Sequence, residues 1–222
     1  MALPPRLYPQ ALASGAVLCA LLAGAAVAQS HTQVEKACVA EFVGVRPALP
    51  ACDFALDGDG MLSYRQKALA RPLAVSYVQG PGGAAPVGAR QVILFPPAPG
   101  GQYRVLQACD GTTASALCWS VFVFDARAGR VRQAYGGKYG PDRWQSWSPD
   151  GQRVVLASQG GGASWLHVID PASGKTRSFP GDKARENWRI QPETLKWTGT
   201  RSFTVMVQTC ATCDARRRNI RF

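Results

Sequence analysis

Trp147-Ser148-Pro149-Asp150-Gly151-Gln152-Arg153-Val154-Val155-Leu156 reads as strand, tight turn, strand. Pro149 presets φ for the second position of a turn, Gly151 tolerates positive φ beyond it, and Asp150 can bond back to the local backbone. Val154 to Ala157 is a short apolar run rich in β-branched residues, which suits a buried strand. Gly160-Gly161-Gly162 turns the chain, and Trp165 to Asp170 makes a third strand. Pro171-Ala172-Ser173-Gly174-Lys175 turns it again into a fourth, Thr176 to Phe179. Four antiparallel strands in succession form a meander, the unit of a propeller blade.

The pattern recurs. Gly101-Gln102-Tyr103-Arg104-Val105-Leu106 matches Gly151 to Leu156 at an offset of 50, and Trp147-Ser148 matches Trp197-Thr198 at the same offset. Val121 to Asp125 with Gly129-Arg130 matches Leu166 to Asp170 with Gly174-Lys175 at an offset of 45. The difference falls in the loop carrying Cys109 and Cys118. A third, degenerate copy ends in Phe203 to Gln208 and Asn219 to Phe222. Such self-similarity is the mark of a repeat architecture. Three copies fall short of the four to eight sheets of a closed ring. The segments around Leu73 and Val92 supply a partial fourth.

Trp147-Ser148-Pro149-Asp150-Gly151, with Ile169-Asp170 and Gly174, resembles the TolB-type β-propeller repeat, best over 143–180. The first copy has Phe95 where the repeat has tryptophan, and the third has Thr200-Arg201 in place of Asp-Gly. The resemblance implies a fold of three to four propeller-like antiparallel β-meander blades and is nearly silent on function. An ordinary β-sandwich with one good hairpin is the alternative.

Residues 1–28 have the form of a secretory signal: Arg6, an apolar run from Ala11, and Ala26-Val27-Ala28 before Gln29. Cleavage there predicts a periplasmic or secreted protein with no stable membrane insertion. The remaining chain, about 194 residues, divides into a segment at 29–72 and a β domain at 73–222. Gly80 to Pro86 reads as a flexible linker or turn. The full chain carries 25 Lys and Arg against 14 Asp and Glu, a net charge of +11. Outside the cytoplasm this favours an envelope protein or an anionic polymer as partner over nucleic acid, and a merely soluble basic surface is the plainer alternative. The basic last strand, Arg216 to Arg221, suits a sheet edge guarded by charge. The tryptophans Trp119, Trp144, Trp147, Trp165, Trp188 and Trp197 suit blade cores.

Cys19 leaves with the signal, and Cys38, Cys52, Cys109, Cys118, Cys210 and Cys213 remain. An even count in an exported chain predicts disulfides, with 15 possible connectivities. The hairpin reading suggests 38–52, 109–118 and 210–213. Cys210-Ala211-Thr212-Cys213 also has redox spacing, but it follows a strand instead of opening a helix.

Asp53 to Gln66 resembles an EF-hand calcium loop spanning 55–66. Gly60 sets the frame as the sixth position. Asp57, Asp59, Met61 (through its backbone) and Ser63 then fall on the third, fifth, seventh and ninth, and Gln66 on the twelfth. The resemblance implies a small helical segment, with Tyr64 to Ala70 as the exiting helix, and calcium as a ligand. Ala55 at the first position and Gln66 at the last depart from the pattern and predict weak binding.

Signals of catalysis are sparse. His31 and His167 are the two histidines, and His167 sits mid-strand. No nucleophile elbow, histidine metal pair or phosphate loop appears. The expectation is a non-enzymatic, exported binding protein. The alternatives are a calcium-binding protein and a hydrolase using blade-loop carboxylates among Asp142, Asp150, Glu186 and Glu193.

Overall fold

Ser148 to Gly151 forms the expected tight turn. Gly151 N donates to Ser148 O at 2.8 Å, and Gly151 takes φ 66°. Asp150 Oδ1 accepts from Ser148 Oγ at 2.6 Å and from Gln152 N at 3.1 Å, so the carboxylate ties the turn to itself. The same backbone bonds recur fifty residues earlier, where Gly101 N donates to Ala98 O and Ala98 N to Tyr103 O. The second repeated loop is equally faithful. Asp125 Oδ1 accepts from Arg127 N and Ala128 N, and Asp170 Oδ1 from Ala172 N and Ser173 N. Gly129 and Gly174 follow at φ 58° and 74°. The repeat is therefore one of structure as well as of letters.

The computed structural model describes residues 38–43, 46–47, 53–69, 72–111, 118, 120–136, 144–160, 162–180 and 187–222. Among these the protein is mainly β, with antiparallel sheets and no helix. A three-stranded sheet holds β3 (Phe54–Leu56), β4 (Leu62–Tyr64) and β5 (Lys67–Ala68). A hairpin follows, β6 (Ala74–Gly80) with β7 (Gly83–Gly88). Next come four meander strands, β8 (Gln91–Pro97), β9 (Tyr103–Cys109), β10 (Ser120–Asp125) and β11 (Arg130–Gly136). β1 (Cys38–Val43) pairs with β8 and β2 (Arg46–Pro47) with β1, which gives the six-stranded order β11-β10-β9-β8-β1-β2. A four-stranded meander has β12 (Gln145–Trp147), β13 (Val154–Gly160), β14 (Ala163–Ile169) and β15 (Thr176–Phe179). The terminal sheet has β16 (Arg189–Gly199), β17 (Ser202–Gln208) and β18 (Arg216–Arg221).

Alternation along the strands sends apolar side chains to both faces of the inner sheets, so the sheets stack. Phe54, Leu56, Leu62, Leu69, Leu73 and Val75 pack on one face of the six-stranded sheet, against Leu94, Leu106, Phe122 and Phe124. Its other face, Ile93, Phe95, Val105 and Val123, meets Trp147, Val154, Leu156 and Ile169 of the four-stranded sheet. The far side of that sheet, Val155, Leu166 and Val168, meets Ile190, Leu195, Phe203, Val205 and Ile220 of the terminal sheet. Polar bonds cross the same interfaces: Gln145 Nε2 donates to Pro96 O at 3.3 Å, and Trp197 Nε1 to Ser146 Oγ at 3.0 Å.

The expected helical segment needs correction. Over the described residues of the expected helix, 64–69, there is none: Tyr64 ends β4, Arg65 and Gln66 form a turn at positive φ, and Lys67–Ala68 returns as β5. Leu62 and Tyr64 point their apolar surface at the Phe124 face, a two-residue period that a helix would break. The helical EF-hand-like segment is accordingly a small β-sheet. Residues 38–43 and 46–47 of the N-terminal segment are strands as well, β1 and β2. Of the two readings of Gly80 to Pro86, the turn is the one found: it joins β6 to β7, and Gly83 to Pro86 belong to the second strand of that hairpin. Pro86 is accommodated there because β7 pairs on one side only.

Two of the expected disulfides are present, Cys109–Cys118 and Cys210–Cys213. The 38–52 pairing lies outside the described residues. Cys109–Cys118 closes the β9–β10 loop, with a sequence separation of 9. A loop of that size restricts the unfolded chain by about 2.5 kcal/mol. We expect the Cys109→Ser, Cys118→Ser double variant to lose about that much stability in urea titration. No loss would mean that the β9–β10 pairing holds the loop unaided.

Candidate functional site

The outermost face of the terminal sheet follows from the alternation of β17, Ser202-Phe203-Thr204-Val205-Met206-Val207-Gln208. Phe203, Val205 and Val207 are buried, so Ser202, Thr204, Met206 and Gln208 point away from the core. Register assigns their neighbours. Arg189 lies opposite Gln208, Gln191 opposite Met206, and Lys196 opposite Thr204 on β16. On β18, Arg217 lies opposite Met206, Asn219 opposite Thr204, and Arg221 opposite Ser202. Arg189, Lys196, Arg217 and Arg221 are all exposed.

This face differs from the other sheet faces described above, which are lined with Val, Leu, Ile and Phe. It bears four cations among hydroxyl and amide side chains, with Met206 as its one apolar member. Residues 187–222 as a whole hold seven Lys and Arg against Glu193 and Asp214. Such one-signed charge concentrates counter-anions at the surface. Arg189 also lines a cleft of about 470 Å³, together with Gln159, Gly160, Gly162 and Ser164 beside the β13–β14 hairpin. A second cleft of about 330 Å³ is mixed in charge, since Asp53 sits within it, paired with Arg65 at 3.2 Å. Arg104, which also lines it, is half-buried, and desolvation lowers its pKa from the ordinary arginine value.

The residues expected to hold calcium lie on the β3–β4 turn. Asp57 Oδ1 accepts from Met61 N at 2.7 Å and from Asp59 N at 3.0 Å, so it caps the turn backbone. Asp59 is exposed, Ser63 lies in β4, and Gln66 stands in the next turn. Gly60 has a positive φ of 82°, and a Cβ there would sit 2.7 Å from Ala89 N. Glycine at this position is thus explained by close backbone approach. Among the described residues no group of three or more His, Cys, Asp or Glu converges to hold an ion.

The candidate carboxylates are not gathered. Asp150 is engaged in its own turn, Glu193 lies on the terminal sheet, and Asp142 and Glu186 lie outside the described residues. His31 and Trp119 are outside them too. His167 is buried, with Ser158 Oγ at 2.7 Å from Nε2 and Ser178 Oγ at 2.9 Å from Nδ1. Both serines belong to the same sheet, and burial pushes the imidazole pKa down to about 4. Trp144, Trp147 and Trp188 are core residues, while Trp165 and Trp197 are half-buried.

No known protein-family model matches the chain, and no curated protein is significantly similar to it. The functional reading therefore rests on the residues themselves. In the sequence the basic outer face is visible only as the run Arg216 to Arg221, which suits a guarded edge. The alternation in β17 was the available signal. It fixes which half of the neighbouring cations must share a face.

Proposed function

We propose that this chain is an exported, non-enzymatic binding protein of the cell envelope that holds an anionic polymer on the outer face of its terminal sheet. The observation that carries the reading is the convergence of Arg189, Lys196, Arg217 and Arg221 on one polar face. Export rests on the signal-like segment 1–28 and fits the two disulfides. The architecture is read as propeller-like and TolB-type, supported by the repeated turn bonds at Ala98 and Ser148 and the repeated loops at Asp125 and Asp170. A folded protein partner would want an aromatic or aliphatic anchor, and this face offers only Met206.

The test is titration of the oxidised protein with inorganic polyphosphate over a range of salt. Four neutralised charges give a slope of log K against log salt of about −3. Absence of binding at low salt, by polyphosphate and by a phosphodiester oligomer alike, would refute the reading.

Calcium at Asp57 and Asp59 is a separate, second proposal, motivated by two carboxylates on a turn whose backbone is fixed by Gly60. With so few ligands, affinity belongs to the millimolar class, on the order of 10⁻³ M. Calorimetric titration should give heat that Asp59→Ala abolishes. No heat from the native protein would leave the turn a purely structural element.

A further inference from the structure

The proposal of polyanion binding leaves open which polymer, and the spacing of the cations bears on that choice. Taken along β17, the four cations occupy successive outward positions. Arg189 stands beside Gln208, Arg217 beside Met206, Lys196 beside Thr204, and Arg221 beside Ser202. Along β17 each step is two residues, about 6.7 Å; β16 bulges between Gln191 and Lys196, so Arg189 and Lys196 keep this interval through their β17 partners and not along their own strand. The cations alternate between β16 and β18, about 4.8 Å to either side of the middle strand. Long, flexible arginine and lysine side chains can lean over that strand from both flanks. The result is a track along β17 with one cation per step, left and right in turn. Thr204 and Asn219 lie between the cations as hydrogen-bonding groups.

A linear polyanion is commensurate with this track when its charges repeat at the same interval. Two residues of extended backbone contain six bonds. A phosphodiester polymer whose phosphates are bridged by three carbons also has six bonds per repeat: P–O, O–C, C–C, C–C, C–O and O–P. Three extended bonds span about 3.5 Å, so six span about 7 Å. Such a chain keeps one phosphate per cation over all four steps. Inorganic polyphosphate, with two bonds per phosphate, places more than two charges at every step and leaves most of them unpaired. Arginine's planar fork suits phosphate oxygens in bidentate fashion, and three of the four cations are arginines.

We infer that the ligand class is an extended phosphodiester polymer with three-carbon bridges, lying parallel to β17. This rests on the polyanion reading above. Two copies of the chain facing each other would set these four cations against four more, so self-association does not explain the face.

The experiment titrates the full oxidised chain with 1,3-linked glycerol phosphate oligomers of two to eight units, with inorganic polyphosphate of equal charge, and with phosphatidylglycerol vesicles. The tetramer should bind at least about tenfold more tightly than polyphosphate. The magnitude of the salt slope should grow by about 0.7 per unit up to four units and then level off. Arg217→Gln and Lys196→Gln should each weaken the tetramer severalfold, while Arg127→Gln, which removes the same charge from a distant loop, should not. Polyphosphate binding as tightly as the oligomer would overturn the spacing argument and leave polyanion binding standing. Vesicles outcompeting the oligomers would overturn it in favour of a membrane surface. Failure of all three probes to bind would overturn both readings.

Discussion

Gly151→Ala should lower the stability of the protein by about 4 kcal/mol, and Gly129→Ala by only about 1 kcal/mol. Both glycines have positive φ, 66° and 58°, so both substitutions carry the cost of a left-handed side-chain-bearing residue. They differ in surroundings. A Cβ at Gly129 meets nothing within 4 Å, whereas one at Gly151 would lie 2.5 Å from Pro99 O. Pro99 belongs to the matching turn of the preceding sheet, and its carbonyl is backbone that cannot swing aside. Relief requires the two sheets to part where Trp147, Val154 and Phe95 interlock. Overpacking of that kind costs about 1–3 kcal/mol beyond the conformational penalty. Urea midpoints of the two variants beside the native protein would decide the matter. Equal losses would mean that the turn-to-turn contact does not constrain the stack.

The second large effect is on acid stability. His167 is buried and neutral, bonded at both ring nitrogens to serines, and its pKa is lowered to about 4. In the unfolded chain it titrates near 6.5. Between those values the unfolded state takes up a proton that the folded state refuses, so stability falls as pH drops from about 6.5 toward 4. The shift amounts to about 3 kcal/mol, present in full above the unfolded pKa and lost by the folded one. His167→Gln keeps a polar side chain between Ser158 and Ser178 and removes the titration. Its stability should be flat over that interval, apart from the carboxylates, where the native protein declines. A native profile equally flat would show that the imidazole ionises freely in the fold.

The sequence was most informative where chemistry is local. The turn at Ser148 to Gly151 was legible because proline, aspartate and glycine each have a distinct backbone preference, and the loops at Asp125 and Asp170 for the same reason. The pairing of Cys109 with Cys118 followed from their position on one hairpin. The failures arose where one local signal serves two structures. Asp57-Gly58-Asp59-Gly60 turns a chain sharply whether it bends around an ion or joins β3 to β4. The choice was made by Phe54, Leu56, Leu62 and Tyr64 packing on a face sixty residues away in sequence. Gly80 to Pro86 has the composition of a linker, yet its backbone finds partners in β6. The basic face was hidden for a related reason: Arg189 and Arg221 are neighbours of one strand only after β16, β17 and β18 have paired.

The stacking order carries a consequence for how the molecule comes apart. Each described apolar cluster joins one sheet to the next in line, so the stack resembles a row of coupled units more than a single indivisible core. In such a row, disruption spreads from an end, and the energy of each junction sets how far it travels. The terminal sheet is fastened on its inner side through Ile190, Leu195, Phe203, Val205, Val207 and Ile220, while its outer side has Met206 as its one apolar member. Weakening that junction should release the last thirty-odd residues as a frayed tail while the preceding sheets remain folded. A polymer bound across β16, β17 and β18 would clamp them, converting an end that opens on its own into one that opens only with its neighbours.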